Sequence, residues 1–370
     1  MSLQDTMSYN FKSYYQCGDK KFYNIFQAFE HQKQTGHFPK FIVDQDLIDN
    51  ISGRKKPKDI SPQAIRKLLV DRLKDLRKKY RKLKLAYSGG TDSYTILKLC
   101  VDNDIYVDET ITIMSSLYGN VRVDLEYLAG LKLAKEYEGT GIGKCTVIRP
   151  SSDDLLHVND PDWFLDDKYV RGPYLPFRPY WLSEIIKKNV ADGDTVVLTG
   201  YEKPKFVIND GKPNWYMDDS ASELMGIENT VPVFLDKENP DLVLSLAYAT
   251  LPFIENYEEG HNFGFHTCDR KTKLKMLDAY GFHRTPFNFV NVGKLGKKHH
   301  HWSNQKNRYF LKELETNGHA EYTTKLFHTH ENIKKLYEGL PHAVEFDGKL
   351  TKPIGRMSQK IPILQDKFAS

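Results

Sequence analysis

At 370 residues with 40% apolar side chains, the chain is globular in composition and long enough to bury a large core. A formal charge of +4 is too small an excess to demand nucleic acid as a partner and is compatible with anionic small substrates. The four cysteines (17, 100, 145 and 268) form no Cys-X-X-Cys pair, the start shows no secretory signal, and no uncharged apolar run reaches the roughly 18 to 20 residues that span a bilayer, so a soluble protein of the reduced cytoplasm with no membrane partner is expected.

Residues 1–60 read as a small accessory unit, with Phe22, Tyr23, Ile25, Phe26 and Phe29 suggesting a short helix and Phe38 to Val43 a short strand. The charged run Gly53-Arg54-Lys55-Lys56-Pro57-Lys58 closes it. Ser61 and Pro62 then read as the N-cap and first position of a helix carrying Ile65, Leu68, Leu69, Leu73 and Leu76 at helical spacing. Its other face holds Arg66, Lys67, Arg72, Lys74, Arg77, Lys78 and Lys79. Such a face invites nucleic acid as a partner, but a solvated helix surface is the commoner cause of the pattern and is the reading adopted.

The next stretch, Leu83-Lys84-Leu85-Ala86-Tyr87-Ser88-Gly89-Gly90-Thr91-Asp92-Ser93, is the most informative of the chain. Alternating apolar residues predict a strand, and Ile96, Leu97, Leu99 and Cys100 give the following segment the apolar face of a helix. Between them, paired glycines let the backbone turn sharply and approach a ligand, while the first helical amides stay free to point outward. Those amides, the helix dipole and the hydroxyls of Ser88, Thr91 and Ser93 favour a phosphate or pyrophosphate. Asp92 alone would repel such an anion, so its carboxylate is expected to hold a divalent cation shared with the phosphates, which implies Mg²⁺ with a nucleotide.

Strands are then predicted near Glu109 to Met114, Cys145 to Ile148 and Thr195 to Thr199, alternating with helices near Val123 to Tyr137 and Tyr180 to Val190. Crossovers of this kind build a doubly wound α/β core with a parallel sheet covered on both faces. Ligands bind beyond the carboxyl ends of such strands, which adds Ser115, Ser116, Thr199 and Gly200 as candidates. Gly139-Thr140-Gly141-Ile142-Gly143-Lys144 looks like a nucleotide fingerprint but follows a helix and precedes a strand, so it is read as a turn. From about residue 205 the regularity fades through Gly211-Lys212-Pro213-Asn214, and helical patterns resume at Asp241 to Asn256 and Thr267 to Tyr280. Residues 61–290 are taken as the main domain. Residues 291–370 are taken as a helical extension, near Lys306 to Glu315 and His319 to Tyr337, with a basic tail. His299, His300, His301, His328 and His330 lack a ligand set at usual spacing and are read as a polar loop rather than structural zinc.

At Ser88, Gly89, Gly90, Asp92 and Ser93 the chain resembles the PP-loop ATP pyrophosphatase superfamily, matching every defined position of Ser-Gly-Gly-X-Asp-Ser. The resemblance implies ATP split between its α and β phosphates, an oxygen of the substrate adenylated, and AMP displaced by a nucleophile. Ser88, Gly89, Gly90, Thr91, Asp92 and Ser93 would hold the nucleotide and Asp92 the metal, with Ser115 near adenosine and Gly200 across the cleft. The basic helix running into the first strand, the alternation, and Asp194-Thr195-Val196-Val197-Leu198-Thr199-Gly200 look like the synthetase domain of asparagine synthetases and their relatives.

The chain departs from that branch where its fourth strand ends, because only Gly200 is kept of a Gly-rich acidic loop and the chain continues Tyr201-Glu202-Lys203-Pro204-Lys205. Glu202 is the candidate replacement carboxylate and Lys203 or Lys205 the candidate phosphate ligand, with a plain surface turn as the competing reading. The cations that the family uses in the transition state are sought in Asp269-Arg270-Lys271-Thr272-Lys273-Leu274-Lys275, with Arg270 and Lys271 as candidates. No cysteine stands at position 2, so no glutaminase is implied and the amine donor must come from elsewhere.

The expected function is therefore an AMP- and pyrophosphate-forming ligase that activates a carboxyl, carbonyl or amide oxygen of a small molecule or nucleobase for attack by an amine. The alternative is a non-catalytic regulator that binds an adenine nucleotide. Sulfonucleotide reductase and tRNA-thiolating relatives are disfavoured by the cysteine pattern.

Overall fold

Gly18, at φ +61°, turns the chain between two short strands, β1 (Tyr14–Cys17) and β2 (Lys20–Phe22). After helix α1 (Ile25–Thr35), strand β3 (Lys40–Ile42) completes an antiparallel sheet ordered β2-β1-β3, and α2 (Gln45–Ile51) follows, capped by Asp44. The computed structural model describes residues 13–114, 121–149, 165–166, 187–200, 203–209, 211–217, 227–254, 262–263, 268–285, 344–346, 349–351 and 361–362. The strand expected in the first 60 residues is present as β3 and the helix as α1, although Phe22 falls in β2 and Tyr23 before the helix; β1, β2 and α2 are additions. This region is tied to the rest by Lys237, which reaches Asp44 at 3.5 Å and Asp46 at 3.1 Å, and by Arg54 with Asp241 at 2.9 Å.

Helix α3 (Pro62–Lys79) starts as the sequence predicts, with the Ser61 hydroxyl accepting the Ala64 amide at 3.2 Å and Pro62 at a position that needs no donor. It buries Ile65, Leu69, Leu73 and Leu76, each worth roughly 1.5–3 kcal/mol. Its basic face is more than a solvated surface. Arg72, only 11% exposed, bonds Asp236 at 2.5 Å and Glu238 at 2.7 Å, Arg77 pairs with Asp108, and Arg66 donates to the Gly281 carbonyl.

Strands β4 (Lys82–Ala86), β5 (Val107–Ile113), β6 (Ile142–Ile148), β7 (Thr195–Thr199) and, farther along, β10 (Thr230–Pro232) form one parallel sheet ordered β10-β7-β4-β5-β6. Helix α4 (Thr91–Asp102) joins β4 to β5, and α5 (Val121–Lys135) joins β5 to β6. Of the turn expected at residues 139–144, only 139–141 lie between α5 and β6, with Gly139 at φ +83°; Ile142, Gly143 and Lys144 already belong to β6. The sequence did not announce β10, a three-residue edge strand ending in Pro232, where a missing N–H is tolerated.

The sheet is flanked by helices on both faces, in a Rossmann-like core. On one face Lys84 donates to Asn189, within the helical residues 187–190, at 2.5 Å; these residues are the described part of the helix expected at 180–190. Alternation turns Tyr87 to the other face, beside Tyr94 of α4. The chain runs outward from β4 to β5 and β6 and then returns to β7 on the other side of β4. The switch point of the sheet therefore lies between β4 and β7.

Where the regularity of the sequence fades, the structure has a hairpin of β8 (Lys205–Asn209) and β9 (Lys212–Tyr216). The register Asn209 opposite Lys212 leaves a two-residue loop, closed by Gly211 at φ +67°. It belongs to an antiparallel sheet ordered β11-β8-β9-β14, with β11 at Asn262–Phe263 and β14 at Ile361–Pro362. Helix α6 (Pro240–Thr250) is shorter than the 241–256 pattern suggests, because Pro252 carries no amide and the chain passes into a 3-10 turn at Leu251–Phe253. Helix α7 (Arg270–Ala279) starts where Asp269 accepts the Thr272 amide at 3.1 Å. A short hairpin, β12 (Val344–Phe346) with β13 (Lys349–Thr351), is the other described element of the C-terminal region; the helices expected at 306–315 and 319–337 lie outside the described residues.

One cross-strand cluster braces the sheet electrostatically. Glu109 accepts from Lys84 at 2.7 Å, Lys144 at 3.1 Å and Thr146 at 2.5 Å, with Lys84 and Lys144 opposite it in register. Burial pushes the Glu109 carboxyl up, but its hydrogen bonds from Lys84, Thr146 and Lys144 outweigh this and leave it below its ordinary value. A depressed carboxyl stabilises the fold fully above its unfolded-chain pKa, and that contribution fades as pH falls below about 4.3. Glu109→Gln should therefore cost about 3 kcal/mol in urea unfolding at neutral pH, by leaving Lys84 uncompensated. The difference from wild type should shrink between pH 5 and pH 3; a constant difference would contradict the assignment.

Candidate functional site

Residues 87–90 link β4 to α4 at the switch point, and Gly89 makes the sharp turn with φ +78°. Gly90 is the N-cap but supplies no side chain to cap the helix. The loop braces itself through its serines. Ser93 Oγ donates to the Gly90 carbonyl at 3.2 Å and accepts the Ser88 amide at 3.3 Å, and Ser88 Oγ accepts the Gly90 amide at 3.3 Å. The first helical hydrogen bond is Tyr94 to Gly90, at 2.9 Å. Among the described residues, the amides of Thr91, Asp92 and Ser93 have no acceptor. Three donors thus stand at the positive end of a helix, at the carboxyl edge of a parallel sheet.

Two glycines from other elements allow this arrangement. A Cβ on Gly130, in the middle of α5, would overlap the Cα of Gly89 and come within 2.9 Å of its amide nitrogen. A Cβ on Gly200, just after β7, would lie 3.0 Å from the Ser93 amide nitrogen and 3.1 Å from Asp92 Cβ. A side chain at residue 200 would therefore cover one of the open donors.

Asp92 is held by a residue that follows β7. Lys203 Nζ lies 2.6 Å from Asp92 Oδ2, its side chain only 2% exposed against 22% for Asp92. The ammonium is 5.8 Å from the Phe234 ring centre and 5.9 Å from that of Phe282, rings that pack 4.7 Å apart. Next to Phe282, the His283 amide donates to Thr95 Oγ1 at 3.1 Å, which ties this segment to α4. The other carboxylate oxygen, Asp92 Oδ1, is buried with no hydrogen-bond partner among the described residues.

Of the residues singled out in the sequence, Ser88, Gly89, Gly90, Thr91, Asp92, Ser93 and Gly200 come together here. Ser115, Ser116 and Glu202 lie outside the described residues, as do the five histidines. Lys205 opens β8 and is buried. Lys271 is exposed in the first turn of α7, and the side chain of Arg270 is outside the description. Lys271 precedes Tyr280 by nine residues, a helical rise of about 13 Å, and among the described residues it forms no ion pair with the loop.

The residues present suit a nucleotide carrying Mg²⁺. The three open amides suit phosphate oxygens, and Mg²⁺ bound to phosphates asks the protein for only one or two carboxylates. Asp92 Oδ1 is one such oxygen. Among the described residues no group of three or more His, Cys, Asp or Glu side chains forms a metal site of its own. No described helix is long and apolar enough to cross a membrane. Burial pushes up the thiols of Cys17, Cys100, Cys145 and Cys268, that of Cys100 to about 12, so none of them is poised as a thiolate.

Sequence reasoning missed Gly130, although a glycine inside a clear helical pattern is a sign of close packing. It named Lys203 as a phosphate ligand but not as the partner of Asp92, and it missed Phe234 and Phe282, whose convergence only the tertiary fold creates. The chain matches no protein-family model and no curated protein sequence.

Gly130 allows a test in which two effects oppose each other. Alanine at an ordinary helix position gains up to about 1 kcal/mol over glycine, whereas overpacking costs about 1–3 kcal/mol. Since the added methyl meets backbone that cannot swing aside, Gly130→Ala should lower the unfolding free energy by about 1–2 kcal/mol; a rise in stability would show that α5 does not press on the loop.

Proposed function

We propose that the chain is a PP-loop ATP pyrophosphatase with asparagine-synthetase-like chemistry, forming AMP and pyrophosphate as it joins an amine to an activated substrate. The observation that carries this reading is the set of open amides at Thr91, Asp92 and Ser93, framed by Gly89 and Gly200 at the switch point of the sheet. Sequence motif and geometry support the same ligand, a polyphosphate chain.

In this reading Gly89, Gly90 and the first turn of α4 bind the β and γ phosphates, and the residues after β5, including Ser115, contact adenosine. Asp92 would hold Mg²⁺, which when bound would neutralise charge on the phosphates. An oxygen of the substrate bonds to the α-phosphorus as the bridge to the β-phosphate breaks, and pyrophosphate leaves with the electron pair. An amine then attacks the activated carbon, AMP departs, and the amine loses its proton to solvent or a nearby base. The loop contributes by fixing the in-line geometry and by stabilising charge on the leaving group. Lys203 lies at the loop; Arg270, Lys271 and Glu202 are the further charged groups proposed to act in the transition state. The substrate is a small molecule or nucleobase, with a separate amine donor, in the cytoplasm.

One observation favours a second reading. The Lys203 ammonium already neutralises Asp92, an arrangement that also suits a nucleotide-binding regulator without turnover. Pyrophosphate release from ATP, measured with amide, carboxylate and nucleobase acceptors and an ammonium donor, separates the two. Turnover that falls about 10²-fold or more in Asp92→Asn supports the ligase, whereas tight ATP binding with no pyrophosphate released under any acceptor would leave the regulator.

A further inference from the structure

The Lys203–Asp92 pair changes what the phosphate loop presents to an anion. A carboxylate in the first turn of α4 repels the phosphates that the free amides attract. Here an ammonium sits 2.6 Å from that carboxylate, with its side chain almost wholly buried beside Phe234 and Phe282. Packing fixes its position, and it stands three residues after Gly200, whose backbone itself lies against Asp92 and Ser93.

We infer that Lys203 is a built-in cation of the phosphate loop, which cancels the Asp92 charge so that polyphosphate binds with little dependence on a divalent metal. The inference rests on the reading of this loop as a nucleotide site and specifies its electrostatics. Between a carboxylate and a phosphate several ångströms away at a partly buried site, cancelling the repulsion is worth on the order of 10- to 100-fold in affinity. Lys203 acts as a positioning residue, through Asp92 and the field at the loop.

Calorimetric titration of the full chain with inorganic pyrophosphate, in EDTA and in excess Mg²⁺, tests this. Wild type should bind in EDTA, with Mg²⁺ changing the affinity less than tenfold. Lys203→Met should weaken binding in EDTA by tenfold or more, and Mg²⁺ should restore most of the loss, because Asp92 without its ammonium partner holds the ion more tightly. Lys203→Arg, which keeps the charge, should lose less than Lys203→Met. A wild-type gain above tenfold from Mg²⁺, or a loss below tenfold in Lys203→Met, overturns the inference while leaving the nucleotide site standing. The wild-type measurement decides alone if the variants do not fold. If neither pyrophosphate nor ATP binds wild type in either buffer, the reading of the loop fails and the inference with it.

Discussion

Backbone amides that have no acceptor among the described residues are the constraint around which the site is arranged. Those of Thr91, Asp92 and Ser93 are the first of α4, and a helix offers its first amides no carbonyl one turn earlier. A buried donor left unmade costs about 1–3 kcal/mol, so such amides persist only where water or an anion meets them. The parallel sheet supplies that opening at its switch point. Gly130 and Gly200 preserve it, the first by admitting α5 against the loop and the second by leaving the Ser93 amide uncovered.

The basic face of α3 has a role connected to this opening. Arg72 holds the buried Asp236, two residues beyond Phe234, and Arg66 holds the Gly281 carbonyl, next to Phe282. Burial pushes the Asp236 carboxyl up, and the adjacent Arg72 guanidinium opposes that by favouring its charged form. Each arginine thus anchors a segment whose aromatic ring flanks Lys203, and Lys203 in turn holds Asp92. A helix whose charge pattern suggested either solvent or nucleic acid is connected, through two aromatic rings and one lysine, to the loop at residues 88–93.

Much of the core was legible because local signals and tertiary packing agreed. Ser61 and Pro62 begin α3, the alternation at Leu83 and Leu85 becomes β4, and the paired glycines become a turn with a left-handed residue, each for a reason confined to a few neighbouring residues. The hairpin at 205–216 was legible in principle, since Asp210-Gly211 between extended segments is a strong two-residue turn signal, yet Pro213 and Asn214 gave the stretch the composition of a loop. Strand β10 was not legible, because its pairing with β7 gives three residues an extended conformation that their own pattern does not specify. The same limit applies to the site. Residues 88–93 are contiguous and carry their own geometry, whereas Lys203, Phe234 and Phe282 meet Asp92 only through long-range folding.

The most direct measurement is a crystal structure of the chain with an ATP analogue carrying a methylene bridge between its α and β phosphates. The account predicts the β and γ phosphates within hydrogen-bond distance of the Thr91, Asp92 and Ser93 amides, with Lys203 still beside Asp92. A nucleotide bound elsewhere, or those amides facing ordered solvent at saturating analogue, would contradict it.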